Sequence, residues 1–236
     1  MDDLFNSFFN EKPVKRLWCR VDDICENNSS FQRLMEIYDK TPIPMTLAVI
    51  PEKLTPDCQK EISLRPGWTV VQHGYSHENY GSSEKPSELG GARPIIETVD
   101  DLLAGKLLLK TLFPKQFYPL LVPPWHSISL PLLTQMTDLG YRGISLNVRQ
   151  KFFVPSPLLR LDVHIDPLVW KPSPHFKDPQ KIASEMDLFS KTSMLGIVAH
   201  PHRHDEECWD FFESLFGLSA ENCEWFHLLA HLKESI

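Results

Sequence analysis

Asp22 and Asp23 stand side by side directly after an apolar run, RLWCRV (16–21). Two carboxylates at such a run's end otherwise meet a dry core, so their position suggests chemistry. The plainer reading is a turn, or a helix N-cap ahead of Ser29. His73 and His77 lie four apart in QHGYSH (72–77). On one helical turn, or in a loop that turns at Gly74, both imidazoles face one point, and neutral imidazole suits Zn2+ and similar metals. That spacing alone is a weak signal in a chain with 10 His, and no Glu follows His73 to make an H-E-x-x-H metalloprotease motif. Asp23 offers an acidic third ligand.

A second dense run is His200-Pro-His-Arg-His204-Asp205. His200 ends an apolar strand and should point into a site. His202 and His204 read as loop residues, with Asp205 as an N-cap. His126, His164, His175, His227 and His231 read as structural or surface residues. Serine-nucleophile chemistry lacks its G-x-S-x-G elbow. A cysteine nucleophile lacks a fixed base: Cys25 is near Asp23 in sequence, and Cys19 falls inside the first strand.

The elements that must position these residues alternate between strand and helix. Strands are predicted over 16–21, 45–50, 68–72, 117–122, 141–146, 158–166 and 194–200. Helices are predicted from Ser29 through Lys40, from Thr55-Pro56 to about Leu64, over 93–112, from Ser129 to Leu139, from Asp178-Pro179 to about Lys191, and near 205–216 and 220–233. Thr55 and Pro56 supply an N-cap hydroxyl and a first-turn proline. Residues 74–92 read as a long functional loop. Such alternation implies an α/β fold with a mostly parallel sheet, either a barrel or an open doubly wound sheet. The metal-capable residues fall at C-terminal strand ends, where active sites of parallel α/β folds gather. No G-x-G-x-x-G follows the first strand and no P-loop occurs, so dinucleotide and nucleotide readings lack support.

Composition narrows the field further. The chain has 236 residues, 24 basic against 31 acidic, and a net charge of −7. No Lys/Arg run is present, which argues against nucleic acid and anionic membrane as partners. No apolar stretch is long enough for a membrane span, and the start, MDDLFNSFFNEKP, is acidic where a signal peptide is basic. Five cysteines without a C-x-x-C point to free thiols and a reducing, cytoplasmic location. Prolines outnumber glycines, 20 to 10, and many of them punctuate strand ends and helix starts.

Taken in order, RVDDI (20–24), QHGYSH (72–77), VPPW (122–125), LDVHIDPLVW (161–170) and GIVAHPH (196–202) resemble the motifs of the polysaccharide deacetylase family, the NodB-homology domain. The motifs cover about residues 16–205, within a single catalytic domain taken as 1–236 with helices closing it over 205–236. The resemblance implies a distorted parallel (β/α) barrel of about seven strands with outer helices. It implies Asp22 as general base, His200 as general acid, and Asp23, His73 and His77 as ligands of one divalent metal, Zn2+ first, with Co2+, Ni2+ or Fe2+ also suited. An acidic residue that orients His200 is expected at Asp166 or Asp162, with Asp166 preferred. Pro124, Trp125 and Tyr75 are expected against the substrate, and the Trp125 backbone N–H at the oxyanion.

The departures are specific. Arg20-Val21 stand where the family has Thr-Phe, Gly74 where it has Ser or Thr, and Val122 where it has an Arg just before the Pro-Pro pair. That Arg pairs with the catalytic base in the family. Arg20, Arg149 and Arg160 are the substitutes this sequence offers. The expected activity is removal of an N-acetyl group from an amino-sugar-containing carbohydrate, on an oligosaccharide or small-molecule substrate. Two other readings stay open: a metal-dependent hydrolase of a small non-peptide amide, allantoinase- or deformylase-like, and a non-catalytic carbohydrate-binding relative.

Overall fold

The computed structural model describes Phe5, residues 16–151 and residues 153–233, the last with backbone only at 220–222 and 231–233. Ten strands occur among these residues: β1 (Arg16–Ile24), β2 (Met45–Val49), β3 (Trp68–His73), β4 (Phe117–Val122), β5 (Gly143–Ile144), β6 (Leu159–Arg160), β7 (Leu168–Val169), β8 (His175–Phe176), β9 (Leu195–Ala199) and β10 (Glu224–Trp225). The helices are α1 (Ser29–Lys40), α2 (Pro56–Ser63), α3 (Ile95–Leu112), α4 (Leu130–Gln135), α5 (Pro179–Leu188), α6 (Glu206–Asn222) and α7 (Leu228–Lys233). One sheet runs in the order β10-β1-β2-β3-β4-β5-β6, with β9 also on β1. This is the α/β class with the parallel sheet that the alternation predicts. Among the described residues, no helix is long and apolar enough to cross a membrane.

The chain divides into two compact units. One takes the described residues of 1–22, 27–46 and 163–236; the other takes 23–26 and 47–162. In the first, β1 and β9 pair in parallel, with Leu17 opposite Leu195 and Val21 opposite Ala199. That register brings Asp22 and His200 to the same level, each one residue past the ladder. Aromatic side chains fill the space around α6: Phe211 meets Phe5, Phe176 and Phe212 at ring separations of 5.2, 5.7 and 5.1 Å. The β7–β8 hairpin is antiparallel.

In the second unit, β3 and β4 pair with His73 opposite Val122. Leu89, Leu102, Leu121, Ile128 and Leu132 form its core with Tyr141 and Ile144. A polar bracket crosses this core. The Tyr141 hydroxyl donates to Gln72 Oε1 at 2.7 Å, and Gln72 Nε2 donates to the Gly74 and Leu102 carbonyls at 2.9 and 3.1 Å. Buried polar groups cost free energy unless paired, and here the Gln72–Leu102 bond ties the end of β3 to α3.

Several elements differ from the sequence reading for local reasons. The strand expected over 141–146 is confined to Gly143–Ile144. A Cβ at Gly143 would lie 3.0 Å from the Leu159 carbonyl, so the close approach of β6 is what uses the glycine. The strand expected over 158–166 splits. Leu159–Arg160 pairs with β5, while Ile165 makes a separate bridge to Ile197. The helix expected to reach Leu139 ends at Gln135 and continues as turns, and Gly140 adopts a positive φ of 76°. A break near 216–220 does not occur: α6 runs through Gly217, where an added Cβ would meet open space, to Asn222. Thr55 precedes α2 but makes no capping hydrogen bond, whereas Asn28 caps α1 by accepting from the Phe31 N–H.

Candidate metal centre

Within the second unit, Asp23, His73 and His77 bring one ligand atom each to within 4.8 Å of one another. Asp23 Oδ1 lies 3.1 Å from both His73 Nε2 and His77 Nε2. The protonation of His73 is set from behind. Its Nδ1 is 2.9 Å from the Val122 carbonyl, which only accepts, so Nδ1 carries a proton and Nε2 is the nitrogen that faces Asp23. A carboxylate oxygen and two imidazole nitrogens aimed at one point are the donor set for a divalent cation, and the Val122 carbonyl is the outer partner that such a histidine uses. Among the described residues this is the one such group of His, Cys, Asp and Glu side chains.

Backbone geometry singles out the same place. The non-glycine residues with positive φ among the described residues are Asp23 (64°), His77 (57°), Trp125 (54°) and His126 (54°). Each costs about 1–3 kcal/mol and persists where the surroundings over-determine it. Asp23 and His77 are members of the triad, and the Trp125 ring packs on His77 at 4.4 Å between centroids. Trp125 sits in a single helical turn, Pro124–His126, and is partly exposed. Pro124 is buried beneath it.

The first unit holds the other predicted pair. Arg20 and Asp22 are both buried and form a two-pronged ion pair: Nε to Oδ1 and Nη2 to Oδ2, both 2.8 Å. Asp22 Oδ2 is 3.6 Å from His200 Nε2, beyond hydrogen-bond range but within range of a charge interaction. The Trp170 ring stands edge-on to His200 at 4.7 Å, and its Nε1–H donates to Asp166 Oδ2 at 2.7 Å. Asp166 Oδ1 accepts from the Leu168 N–H at 3.0 Å. Asp166 therefore reaches His200 through Trp170. Asp162 is held elsewhere, by Arg160 Nε at 2.6 Å and the Leu146 N–H at 3.2 Å, within the second unit. Of the three arginines the sequence offered in place of the missing motif arginine, Arg20 is the one on Asp22.

Tyr75, expected against substrate, has a ring that packs toward α3, with Cδ2 3.1 Å from where a Cβ at Gly105 would stand. Tyr80 lies under the Arg93 guanidinium at 4.6 Å. His164 accepts from the Gly196 N–H through Nδ1 and packs edge-on against Phe189, as a structural histidine does. His204 is also structural. Its Nε2 accepts from the His200 N–H at 3.1 Å, its ring stacks on Phe212, and Trp209 meets it edge-on. Burial, and then the nearby His200, His202 and Arg33, pull its pKa down to about 3. The residue that sequence reasoning missed is Glu88, whose carboxylate is fully buried behind the His73–His77 turn. Its only signal was Gly74, where the family has a side chain.

Solved structures with the same architecture carry little sequence likeness. A protein from Mycobacterium smegmatis assigned to the polysaccharide deacetylases is 16% identical, with a TM-score of 0.68 over 95% of this chain and 90% of that one. The chain has the polysaccharide deacetylase fold. Peptidoglycan deacetylase PdaC from Bacillus subtilis is 14% identical with a TM-score of 0.61, over 94% of this chain and 91% of that one. A family 4 acetyl xylan esterase from Clostridium thermocellum, in complex with a cobalt ion, is 13% identical with a TM-score of 0.58, over 93% and 91%. No protein-family model matches the sequence, and no curated protein matches it. The distorted-barrel class expected of the sequence is the one these structures share.

Two outcomes are expected. Arg20→Met removes the guanidinium from the buried Asp22 carboxylate and should lower stability by about 3–5 kcal/mol in urea denaturation, while Arg20→Met with Asp22→Leu returns most of that loss. An Arg20→Met protein as stable as the wild type contradicts the pairing. For His204, the unfolded imidazole titrates near 6.5 and the folded one near 3. Between those values the unfolded chain binds a proton that the folded chain does not, so stability is present above pH 6.5 and is lost as pH falls, by up to about 1.4 kcal/mol per unit. Melting temperatures measured from pH 7 to 4 should fall less steeply in His204→Gln.

Proposed function

We propose that this chain is a divergent polysaccharide deacetylase: a metal-dependent hydrolase that removes an N-acetyl group from an amino-sugar-containing carbohydrate. The observation that carries the reading is the convergence of Asp23, His73 and His77, with His73 Nε2 held toward Asp23 by the bond of Nδ1 to the Val122 carbonyl. The donor set fits Zn2+ or a similar borderline cation, and three protein ligands leave positions open for chemistry. Such a cation, when bound, supplies a Lewis acid and lowers the pKa of a bound water toward about 7.

The remaining roles belong to residues of the chain. Asp22 follows Arg20 by two positions and precedes Asp23 by one, so the peptide bond between the two aspartates joins the ion-paired carboxylate to the metal triad. Arg20 keeps the Asp22 carboxylate ionised and fixed in orientation, as a general base must be to take a proton from the attacking water. His200, braced by the Trp170 ring, gives a proton to the departing amine. Asp166 holds Trp170 in place by accepting its indole N–H. The Trp125 N–H, carried on a turn at positive φ, is assigned to the developing oxyanion. Trp125, partly exposed beside His77, offers a flat apolar face for a sugar ring.

The test combines metal content with a substrate panel. Purified protein reconstituted with Zn2+ should hold about one ion per chain, and His73→Ala should hold none. Asp22→Asn should keep the ion and lose about 100-fold or more in turnover. Acetylated oligosaccharides should release acetate where small formamides and ureides give nothing. A wild-type protein that takes up no divalent metal removes the metal reading, and turnover confined to formamides or ureides replaces the carbohydrate substrate with a small amide.

A further inference from the structure

The geometry points to Glu88 as the positioning residue of the metal loop, with Gly74 as the partner that makes room for it. The inference rests on the metal-site reading above and concerns what holds the two histidines in register. Glu88 Oε1 accepts from three donors of the turn between them: the Tyr75 N–H at 2.8 Å, the Ser76 N–H at 2.7 Å and the Ser76 hydroxyl at 3.3 Å. Two successive backbone N–H groups closing on one oxygen form an anion-binding nest. Here the anion is covalently part of the fold. The nest occupies the middle of the His73–His77 segment, so fixing it fixes the separation of the rings, which is 5.1 Å between centroids.

Glu88 is itself held. The next residue, Leu89, is buried in the core with Leu102, Leu121 and Ile128, and it bridges in parallel to Ile128. The Ser129 N–H donates to the Leu89 carbonyl at 2.9 Å. Ile128 lies two residues past the Pro124–His126 turn. One carboxylate therefore ties the loop that carries His77 to the chain segment that carries Trp125, the ring that packs on His77.

Gly74 explains why the carboxylate fits. A Cβ at position 74 would stand 1.9 Å from Glu88 Oε2, 2.8 Å from Glu88 Cδ and 2.8 Å from Pro124 Cγ, and the φ there is +55°. Any side chain at 74 displaces Glu88. The family's Ser or Thr at this position and the buried Glu88 are thus alternatives, and this chain has the second. Bonds to groups behind metal ligands set metal affinity, and losing one costs about 10–100-fold.

The experiment is a Co2+ titration followed by visible absorption, which reports affinity and coordination geometry without any turnover, alongside thermal melts of the metal-free proteins. Glu88→Ala should bind Co2+ at least about tenfold more weakly than wild type, with altered bands. Glu88→Gln keeps an acceptor oxygen for the Tyr75 and Ser76 N–H groups and should recover most of the affinity and the wild-type bands. Glu88→Asp, which withdraws the oxygen by one methylene, serves if Glu88→Ala does not fold, and should also bind weakly. Wild-type Co2+ affinity and spectrum in Glu88→Ala, or in Glu88→Asp where Ala does not fold, overturn the positioning role even if the melting temperature drops, because that is the signature of a merely structural residue. A wild-type protein that takes up no Co2+ overturns the metal-site reading and this inference together.

Discussion

A carboxylate withdrawn from water must be met by a cation or by N–H donors, and most of what is distinctive in this protein follows from how it meets that constraint. Five acidic side chains illustrate five solutions. Asp22 has the Arg20 guanidinium, Asp23 has two imidazoles, and Glu88 has the amides of a turn. Asp162 has Arg160 and a backbone N–H, and Asp166 has the Trp170 indole and a backbone N–H. The partner decides what each group is suited to. A guanidinium keeps a carboxylate charged, as a base requires. Two imidazole nitrogens beside a carboxylate oxygen form a donor set for a metal. Amides and an indole N–H leave a carboxylate as a clamp on its surroundings.

Adjacent aspartates with different partners depend on the backbone between them. Asp22 ends the regular part of β1, and its side chain turns back along the strand to Arg20, two residues earlier. Asp23 takes a positive φ, which strands do not, and its side chain meets His73 and His77. The register of β3 on β4 puts His73 against Val122, and that carbonyl fixes the ring. Regular pairing thus carries the histidine to its place, and a local departure from regular pairing carries the aspartate.

The parts of this arrangement that follow from short-range pattern were legible in the sequence. The apolar runs ending at Asp22, His73, Val122 and Ala199 are strands, and the metal-capable residues do stand at their ends. The α1 helix follows from its apolar spacing, and α5 from its Asp178-Pro179 start. What was not legible depends on contacts between distant residues. Glu88 sits in the stretch 74–92 that reads as a long functional loop, where nothing in the sequence singles it out, and only its burial and its bonds to the Tyr75 and Ser76 N–H groups do so. The β7–β8 hairpin is two residues per strand around prolines and has no periodicity to detect. His204 looked like a loop histidine, yet stacking on Phe212 and burial make it a structural one. Arg20 stood with Arg149 and Arg160 as a candidate partner for Asp22, and only the side-chain geometry singles it out.

The Arg20–Asp22 pair is encoded within three residues of one strand. In the resembling family, the corresponding cation comes from the segment before the Pro-Pro pair, so one loop serves both the base and the substrate. Here the two duties are separated. The charge state of Asp22 is written into β1, and the Pro-Pro-Trp segment is relieved of it. Substitutions at Val122 through His126 therefore leave the counterion of Asp22 in place. Such a division is favourable for diversification: a strand that carries its own counterion in cis leaves the Pro-Pro-Trp segment free to vary.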